Sequence, residues 1–249
     1  MSPMSSFALP KIGTPSGVLR GRSVHDGYQR GWGLMHAGLA EQVAHDPLYQ
    51  AGLEASGGWS VMVEAKRMNL FLILTRFLGR LDGRDVIEFG SYRGGNALFM
   101  ARVLWDVAPG AKVYACDTFA GMPATDAGRD LHSMGDFSDT SDEALAERRN
   151  ALGLTNLVIA KGLFQDTYPG IARSGPRFGL AHIDCDIYSG VKFAQDAVWP
   201  QMARGGYLVY DDADAPSCIG ATEAVEDLIM KRKLHAEQVW PHWVFRARL

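Results

Sequence analysis

Short apolar runs alternate along the chain with longer segments whose apolar residues recur at helical spacing. Runs at residues 85–89, 112–117 and 157–160 predict buried strands, and runs at 179–183 and 206–210 predict two more. Strand and helix alternate throughout this region. We therefore expect an α/β fold with a mainly parallel sheet and helices on both of its faces.

Helices are predicted from apolar periodicity and from start and stop signals. The predicted helical segments are residues 60–80, 94–107, 140–152, 189–206 and 219–233. Thr140 and Glu143 predict a capping box at the start of the third helix. Residues 161–170 predict a loop with a short helical turn. Residues 236–240 and 243–248 predict a closing antiparallel pair of strands.

The N-terminal part of the chain has weaker patterning. Residues 1 to about 20 are rich in Ser, Pro and Gly and predict a mobile arm, and residues 23–59 predict a helical cap interrupted by glycines. We therefore expect two parts, an N-terminal arm and cap at residues 1–59 and a main domain at residues 60–249. Four aromatic residues of the cap either line a substrate pocket or pack the cap onto the core, and packing is favoured. They are Trp32, His36, Tyr49 and Trp59.

Composition and charge narrow the function classes. The 249 residues carry a net charge of −3, and no basic stretch interleaves with aromatic residues, which argues against nucleic acid as a partner. No apolar run is long enough to span a membrane, and the N-terminus does not resemble a signal peptide. Cys116, Cys185 and Cys218 are odd in number and lack metal-ligand spacing, which favours a reduced, cytoplasmic setting.

Aspartates cluster at the ends of the last two predicted parallel strands. Asp184 and Asp186 follow one strand, and Asp211, Asp212 and Asp214 follow the next. Parallel strands joined by a helix end at the same sheet edge, so these carboxylates are expected to be neighbours. They repel one another unless a cation or a proton lies among them. An all-carboxylate set suits Mg²⁺, or less often Mn²⁺ or Ca²⁺.

Three of these aspartates are the favoured metal ligands: Asp184, Asp211 and Asp212. The alternative is that some aspartates cap helices, and for Asp214 capping of the helix at 219–233 is favoured.

The first predicted strand leads through a glycine-rich turn into a helix. Such a turn lets a ligand approach the backbone and the free N–H groups of the helix N-terminus. Asp117, at the end of the next strand, can accept hydrogen bonds from both hydroxyls of a ribose. A dinucleotide site and an S-adenosylmethionine site both fit. Glu88 favours the second, because a carboxylate repels a pyrophosphate but attracts the ammonium group of S-adenosylmethionine.

Six segments occur in an order that resembles the TylF/MycF-type macrocin O-methyltransferase family, over about residues 60–230. They are VIEFGSYRGGNALFMA, ACDTFAGMPATD, GDFSDTS, KGLFQDTYP, HIDCDIY and GGYLVYDDAD. The resemblance implies a Rossmann-like class I methyltransferase fold, with a mainly parallel seven-stranded sheet and an antiparallel C-terminal strand. It also implies S-adenosyl-L-methionine as methyl donor and Mg²⁺ bound to the hydroxyls of a sugar-like acceptor.

The resemblance also implies roles for individual residues. Asp184, Asp211 and Asp212 match metal ligands, and Asp186 matches the general base. The matching donor-site residues are Glu88, Gly90, Ser91, Tyr92, Gly94, Gly95, Asp117, Phe119, Gly162, Phe164, Asp166 and Asp184. His132 is a lesser candidate for acceptor contact or proton relay, since a lone loop histidine is more often simply exposed.

The resulting hypothesis is metal-dependent methyl transfer from S-adenosylmethionine to a hydroxyl of a sugar or glycoside, with residues 118–139 closing as a lid. The cap would then lie on the acceptor side, and its apolar character is compatible with a homodimer. A catechol-type O-methyltransferase, a nicotinamide-dependent oxidoreductase on the same fold and a non-catalytic binding module remain alternatives. The sequence does not identify the acceptor.

Overall fold

A computed structural model describes residues 8–10 and 23–247 of the chain. Most of the predicted N-terminal arm lies outside the described residues. None of the helices in the described ranges is long and apolar enough to cross a membrane.

A six-stranded mixed sheet forms the centre of the described structure. Its strands are β1 (Asp85–Phe89), β2 (Val113–Asp117), β3 (Leu157–Lys161), β4 (Phe178–Ile183), β5 (Met202–Tyr210) and β6 (Trp243–Arg246). The order is β3-β2-β1-β4-β5-β6; the first five are parallel, and β6 is antiparallel to β5. The predicted α/β class and antiparallel C-terminal strand are confirmed.

The predicted closing pair contributes one strand instead of two, so the described sheet has six strands where seven were expected. Residues 236–240 form only an isolated bridge between Gln238 and Val244. Pro241 lies between these two residues and has no N–H for a ladder. The side chains of Glu237 and Gln238 are instead buried against the first helix.

Helices cover both faces of the sheet. They are α1 (Val24–His36), α2 (Leu39–Ala44), α3 (Pro47–Ser56), α4 (Glu64–Leu72), α5 (Gly95–Val107), α6 (Asp142–Ala151), α7 (Phe164–Arg173), α8 (Tyr188–Val198) and α9 (Ile219–Arg232). Single turns at Ile73–Phe77, Leu78–Arg80 and Trp199–Gln201 have π or 3₁₀ geometry. The helix predicted at 60–80 therefore starts later and changes its winding before it ends.

Two local predictions were wrong for identifiable reasons. Residues 161–170 lie largely in the regular helix α7, which continues through Pro169 because its inner face buries Tyr168 and Ile171. Helix α6 is capped by Ser141, whose Oγ accepts from the Ala144 N–H at 3.2 Å. Thr140 instead donates its hydroxyl to the Tyr92 carbonyl at 2.5 Å.

One apolar core lies between the sheet and the N-terminal helices. Tyr49 of α3, Phe71 of α4 and Phe99 of α5 meet edge to face, with ring centroids 5.3 to 6.4 Å apart. Tyr49 thus packs the cap onto the core. Trp32 of α1 is 39% exposed, in a row with Val24, Tyr28 and Met35. A homodimer through such a surface stays a prediction.

Replacing Phe99 with alanine tests this packing. The side chain is fully buried, so its removal should lower the free energy of unfolding by about 3–5 kcal/mol. Urea denaturation measures the change. Leu152→Ala is the control, since Leu152 is 40% exposed and should change stability by less than about 1 kcal/mol. Equal effects of the two variants would contradict the proposed packing of α3 on α5.

Candidate active site

A cavity of about 740 Å³ opens at the carboxyl ends of β1, β2, β4 and β5. Both acidic and apolar residues line it. The predicted site residues in its wall are Gly90, Tyr92, Asp117, Phe164, Asp184, Asp186, Asp211 and Asp212. Lys66, Met122, Phe137 and Phe193 also line it, and none of these was singled out from the sequence. None of the four cap aromatics is among its lining residues.

The carboxylates of Asp184, Asp211 and Asp212 converge as the strand order predicts. Oxygen atoms from all three lie within 4.8 Å of one another. The register that pairs Ile183 of β4 with Tyr210 of β5 places the residues after them side by side. Burial and the neighbouring carboxylates raise the pKa of Asp184 and of Asp212 well above the usual aspartate range. A cation among these groups would therefore relieve both the burial of charge and the repulsion between the carboxylates.

Asp211 differs from its two neighbours because cationic and N–H groups surround it. Lys66 Nζ lies 2.8 Å from Asp211 Oδ2, and His242 Nε2 lies 3.0 Å from Asp211 Oδ1. Burial by itself raises the pKa of Asp211, but His182 and His242 hold it well below its usual range. Asp211 is thus an ionised carboxylate.

The proton positions on His242 follow from its second contact. Asn69 Nδ2 donates to His242 Nδ1 at 3.0 Å, so the ring proton is on Nε2 and points to Asp211. Burial lowers the pKa of His242 to about 4, in keeping with a neutral ring. Asn69 Oδ1 accepts from Gln238 Nε2 at 2.9 Å, and Gln238 Oε1 accepts from Arg30 Nε at 3.1 Å. This buried chain connects α1 to the carboxylates.

His182 connects the carboxylates to the glycine-rich turn. Its Nδ1 lies 3.2 Å from Glu88 Oε1, and its Nε2 lies 3.6 Å from Asp211 Oδ1. Burial favours the neutral ring, but the two carboxylates prevail and raise the pKa of His182 to about 9. A buried imidazolium therefore lies between Glu88 and Asp211, and the sequence analysis did not identify it.

Glu88, near the end of β1, is buried, and one of its two carboxylate oxygens is unpaired among the described residues. Asn96 Nδ2 donates to Glu88 Oε1 at 2.6 Å. Among the described residues Glu88 Oε2 has no hydrogen-bond partner. A Cβ at Gly90 (φ 91°) would collide with the Asp184 carbonyl, so only glycine fits where β1 leaves the sheet beside β4.

Backbone N–H groups orient the Asp117 carboxylate. Tyr92 N–H donates to Asp117 Oδ2 at 2.8 Å, and Phe119 N–H donates to Asp117 Oδ1 at 2.7 Å. Tyr92 and Phe119 both have φ of 50°, a left-handed conformation that turns their N–H groups toward this carboxylate. Tyr92 and Phe119 thus act on Asp117 through the backbone.

The remaining predicted donor-site residues lie outside the cavity wall. Gly94 contacts Leu145, and Gly95 contacts the backbone at Ser60, so these two glycines permit close packing. Ser91 is buried, whereas Asp166 is exposed in the first turn of α7. Gly162 (φ 137°) also lies outside the wall, and the neighbouring Leu163 and Gln165 line the cavity instead.

Asp186 lies beyond the carboxylate trio, in a left-handed conformation with φ of 60°. Its N–H donates to Asp212 Oδ2 at 3.1 Å, and its Oδ1 lies 3.8 Å from His132 Nε2. Burial raises the pKa of Asp186. His132 is therefore next to Asp186 and not simply exposed. Asp214 is exposed and does not cap α9, because the N-cap residue of α9 is Cys218.

The segment 118–139 contributes to the wall of the cavity and is held by backbone hydrogen bonds of its own and by a contact to α8. Within it, the Met122 N–H donates to the Asp136 carbonyl at 2.7 Å, and the Gly135 N–H donates to the Met122 carbonyl at 2.9 Å. The buried Asp130 accepts from the Tyr188 N–H at 2.8 Å, which ties the segment to the start of α8. Closure of this segment as a lid stays a prediction.

A family model described as macrocin O-methyltransferase matches residues 49–243. The chain belongs to the macrocin O-methyltransferase family. The family match covers the whole sheet except its last three residues, and it includes every candidate site residue named above.

Individual relatives extend the comparison. The chain is 30% identical over 177 residues to 8-demethyl-8-(2,3-dimethoxy-alpha-L-rhamnosyl)-tetracenomycin-C 4'-O-methyltransferase of Streptomyces olivaceus, covering 67% of this chain and 66% of the relative. It is 28% identical over 156 residues to mycinamicin III 3''-O-methyltransferase of Micromonospora griseorubida, covering 57% and 60%. The matched part thus spans slightly less than two thirds of these relatives.

A solved structure, the O-methyltransferase NovP, has the same fold. It superposes with a TM-score of 0.62 over 86% of this chain and 96% of its own, at 23% identity. At this identity the likeness concerns the fold alone.

The His242 contacts predict the effect of a substitution at that position. In His242→Leu, Asp211 Oδ1 and Asn69 Nδ2 lose their partner in a buried place, which should lower the free energy of unfolding by about 1–3 kcal/mol. Urea denaturation provides the measurement. His235→Leu is the control, because His235 is exposed and should change stability by less than about 0.5 kcal/mol. If both variants unfold at the same urea concentration, His242 does not hold Asp211.

Proposed function

We propose that this family member transfers a methyl group from S-adenosyl-L-methionine to a hydroxyl of a sugar-like small molecule, with Mg²⁺ at the carboxylate trio. The observation that carries the proposal is the arrangement of one cavity. The three converging carboxylates and the oriented Asp117 lie in its wall, and Glu88, with one oxygen unpaired among the described residues, is buried within 4.8 Å of Asp184 and His182. Membership of the macrocin O-methyltransferase family supports the same reaction.

The residues of the turn fit the donor. When bound, S-adenosylmethionine supplies a methyl group on a positively charged sulfur. Glu88 Oε2 is buried and unpaired among the described residues, and it can accept from the ammonium of the aminoacyl end. Asp117 can accept from the ribose hydroxyls, since its backbone partners leave lone pairs on both oxygens. The carboxylate of Glu88 would repel the pyrophosphate of a nicotinamide dinucleotide, which argues against the oxidoreductase alternative.

The carboxylate trio fits a hard divalent cation. All donors are oxygens, and burial beside the neighbouring carboxylates raises the pKa of Asp184 and of Asp212, so a positive charge among them is favourable. When bound, Mg²⁺ supplies Lewis acidity that favours the ionised form of an acceptor hydroxyl. Asp184, Asp211 and Asp212 would hold it. Lys66 and His242 hold Asp211 in orientation, and His182 and His242 keep its pKa well below the usual range.

Asp186 is the proposed general base. Its carboxylate lines the cavity beside the trio, and its raised pKa suits proton uptake from a hydroxyl. The proton at Asp186 Oδ1 can pass to His132 Nε2, 3.8 Å away, with a small movement of either side chain. Met122 and Phe137 of the wall formed by 118–139 exclude water on this side.

A sugar-type acceptor is proposed because of the relatives. The names of the two relatives specify methylation at a 4' and a 3'' oxygen, and the substrate named for the first carries a rhamnosyl group. A catechol presents the same pair of adjacent hydroxyls and belongs in the same test. Incubation with isotopically labelled S-adenosylmethionine and a panel of glycosides, free sugars and catechols, read by mass spectrometry, identifies the acceptor class. Labelled product from catechols alone would contradict the sugar proposal.

The variant Asp184→Asn tests whether Asp184 is a metal ligand or only a structural carboxylate. The variant removes one of three carboxylates that repel one another, so stability without divalent cation should rise. Mg²⁺ binding measured by calorimetry, and Mg²⁺-dependent turnover, should be lost. Asp214→Asn is the matched control and should behave as wild type, since Asp214 is exposed. A destabilised variant with unchanged Mg²⁺ affinity would overturn the assignment.

Asp186→Asn tests the base. The amide keeps the shape of the side chain but cannot take up the proton, so kcat should fall about 10²- to 10⁴-fold. Binding of S-adenosylmethionine and of Mg²⁺, measured by calorimetry, should change little. An unchanged kcat would remove Asp186 from the proposed mechanism.

A further inference from the structure

A second set of metal-type ligands lies next to the carboxylate trio. Cys218 Sγ is 3.5 Å from Asp186 Oδ1 and 3.7 Å from His132 Nε2, and the last two atoms are 3.8 Å apart. The three atoms form a nearly equilateral triangle. Tetrahedral Zn²⁺, with bonds of about 2.0–2.3 Å to N, O and S, places its ligand atoms roughly 3.3–3.6 Å apart. The triangle therefore matches one face of a zinc tetrahedron to within a few tenths of an ångström.

We propose that Cys218, His132 and Asp186 form a Zn²⁺ site distinct from the carboxylate trio, and that Zn²⁺ bound there inhibits methyl transfer. The binding part of this proposal is independent of the reaction. The inhibitory part rests on the proposed function, because it assumes that Asp186 is the general base.

The orientation of His132 supports a metal ligand. His132 Nδ1 lies 3.2 Å from Asp136 Oδ2, and the Ser133 N–H donates to that same oxygen at 3.0 Å. A carboxylate at Nδ1 keeps the ring proton there and leaves the lone pair of Nε2 directed at Cys218 and Asp186. Carboxylate–histidine–zinc arrangements use this pairing to fix the ring and raise its basicity.

Cys218 has the burial and the exchangeable proton that such a site requires. The residue is 3% exposed and precedes α9 as its N-cap. The Cys218 thiol donates its proton in a hydrogen bond to Asp186 Oδ1. Zn²⁺ takes the place of that proton: the S–H bond breaks, an S–Zn bond forms and one proton is released to solvent.

Ligand chemistry separates the two sites. The trio offers only oxygens and suits Mg²⁺, whereas thiolate and imidazole select Zn²⁺ or Co²⁺. Asp186 lines the cavity, while His132 and Cys218 lie behind it, so the remaining coordination position faces the acceptor side. A cation at this position binds the oxygen that would take up the acceptor proton.

Cobalt provides a direct readout of thiolate coordination. Co²⁺ added to the full-length chain in the presence of saturating Mg²⁺ should produce the thiolate-to-cobalt charge-transfer absorption, and Zn²⁺ should abolish it by displacement. Cys218→Ser should remove the absorption. Cys116→Ser should retain the absorption. Cys116 is also a buried cysteine, on β2, but among the described residues it does not lie in a cluster that could hold a metal ion.

Two loop variants test the rest of the site without disturbing the core. His132→Asn removes a ligand, and Asp136→Asn removes only its orienting carboxylate. We expect Asp136→Asn to weaken Zn²⁺ binding about 10- to 100-fold by calorimetry, and His132→Asn to weaken it further. Both positions lie in the segment 118–139, so these variants remain informative if Cys218→Ser fails to fold.

The outcomes separate the site from the reaction. A cobalt–thiolate absorption that depends on Cys218 supports the site even if no methylated product is found. No absorption in the wild type, or an absorption that persists in Cys218→Ser, overturns it. Inhibition of methyl transfer by Zn²⁺ that is lost in Cys218→Ser, or weakened about 10- to 100-fold in Asp136→Asn, supports the inhibitory role. Zn²⁺ binding that leaves turnover unchanged overturns that role and leaves the binding site standing.

Discussion

The ionised carboxylate of Asp211 is the constraint on which the site depends. A buried charge is stable only when hydrogen-bonded and balanced, and here Lys66, His182 and His242 surround it. These three residues come from α4, β4 and the segment before β6. The two histidines are each fixed in turn by a further buried partner, His182 by Glu88 and His242 by Asn69. The requirement to satisfy one carboxylate at the end of β5 thus determines how elements far apart in sequence pack at this sheet edge.

Two branches extend from Asp211 and give the site its two sides. Through His182 the charge is connected to Glu88, whose Oε2 is buried without a partner among the described residues. Through His242 and Asn69 it is connected to Gln238 and so to α1. Displacing α1 would break a continuous chain of buried hydrogen bonds, and such chains tolerate partial loss poorly. The N-terminal helices are therefore part of the site's support even though they contribute no predicted ligand.

The sheet and the carboxylates could be predicted because they follow from local rules. Apolar runs end where strands end, and parallel strands bring Asp184 and Asp211 to one edge regardless of the rest of the chain. Lys66 was not predicted as a site residue. The helical pattern of α4 does not show which residues its first turn contacts. His182 gave a usable signal. It precedes the last residue of a buried strand, as Glu88 does on the neighbouring strand, and the two are register partners. Two polar residues at matching depths in adjacent buried strands predict a paired contact.

Asp186 lies at the boundary between two kinds of ligand environment. On one side its N–H binds Asp212 of the all-oxygen trio, and on the other its Oδ1 meets the sulfur of Cys218 and the imidazole of His132. The left-handed backbone at Asp186 makes this possible. In an extended chain, residues two positions apart face the same way, and Asp186 would then face the same side as Asp184. Divalent zinc binds most N- and S-containing sites more tightly than magnesium does, so geometry alone does not keep it from a thiolate. With Asp186 as the proposed base, its place between hard and soft ligands would leave the proposed methyl transfer open to control by which cation is available.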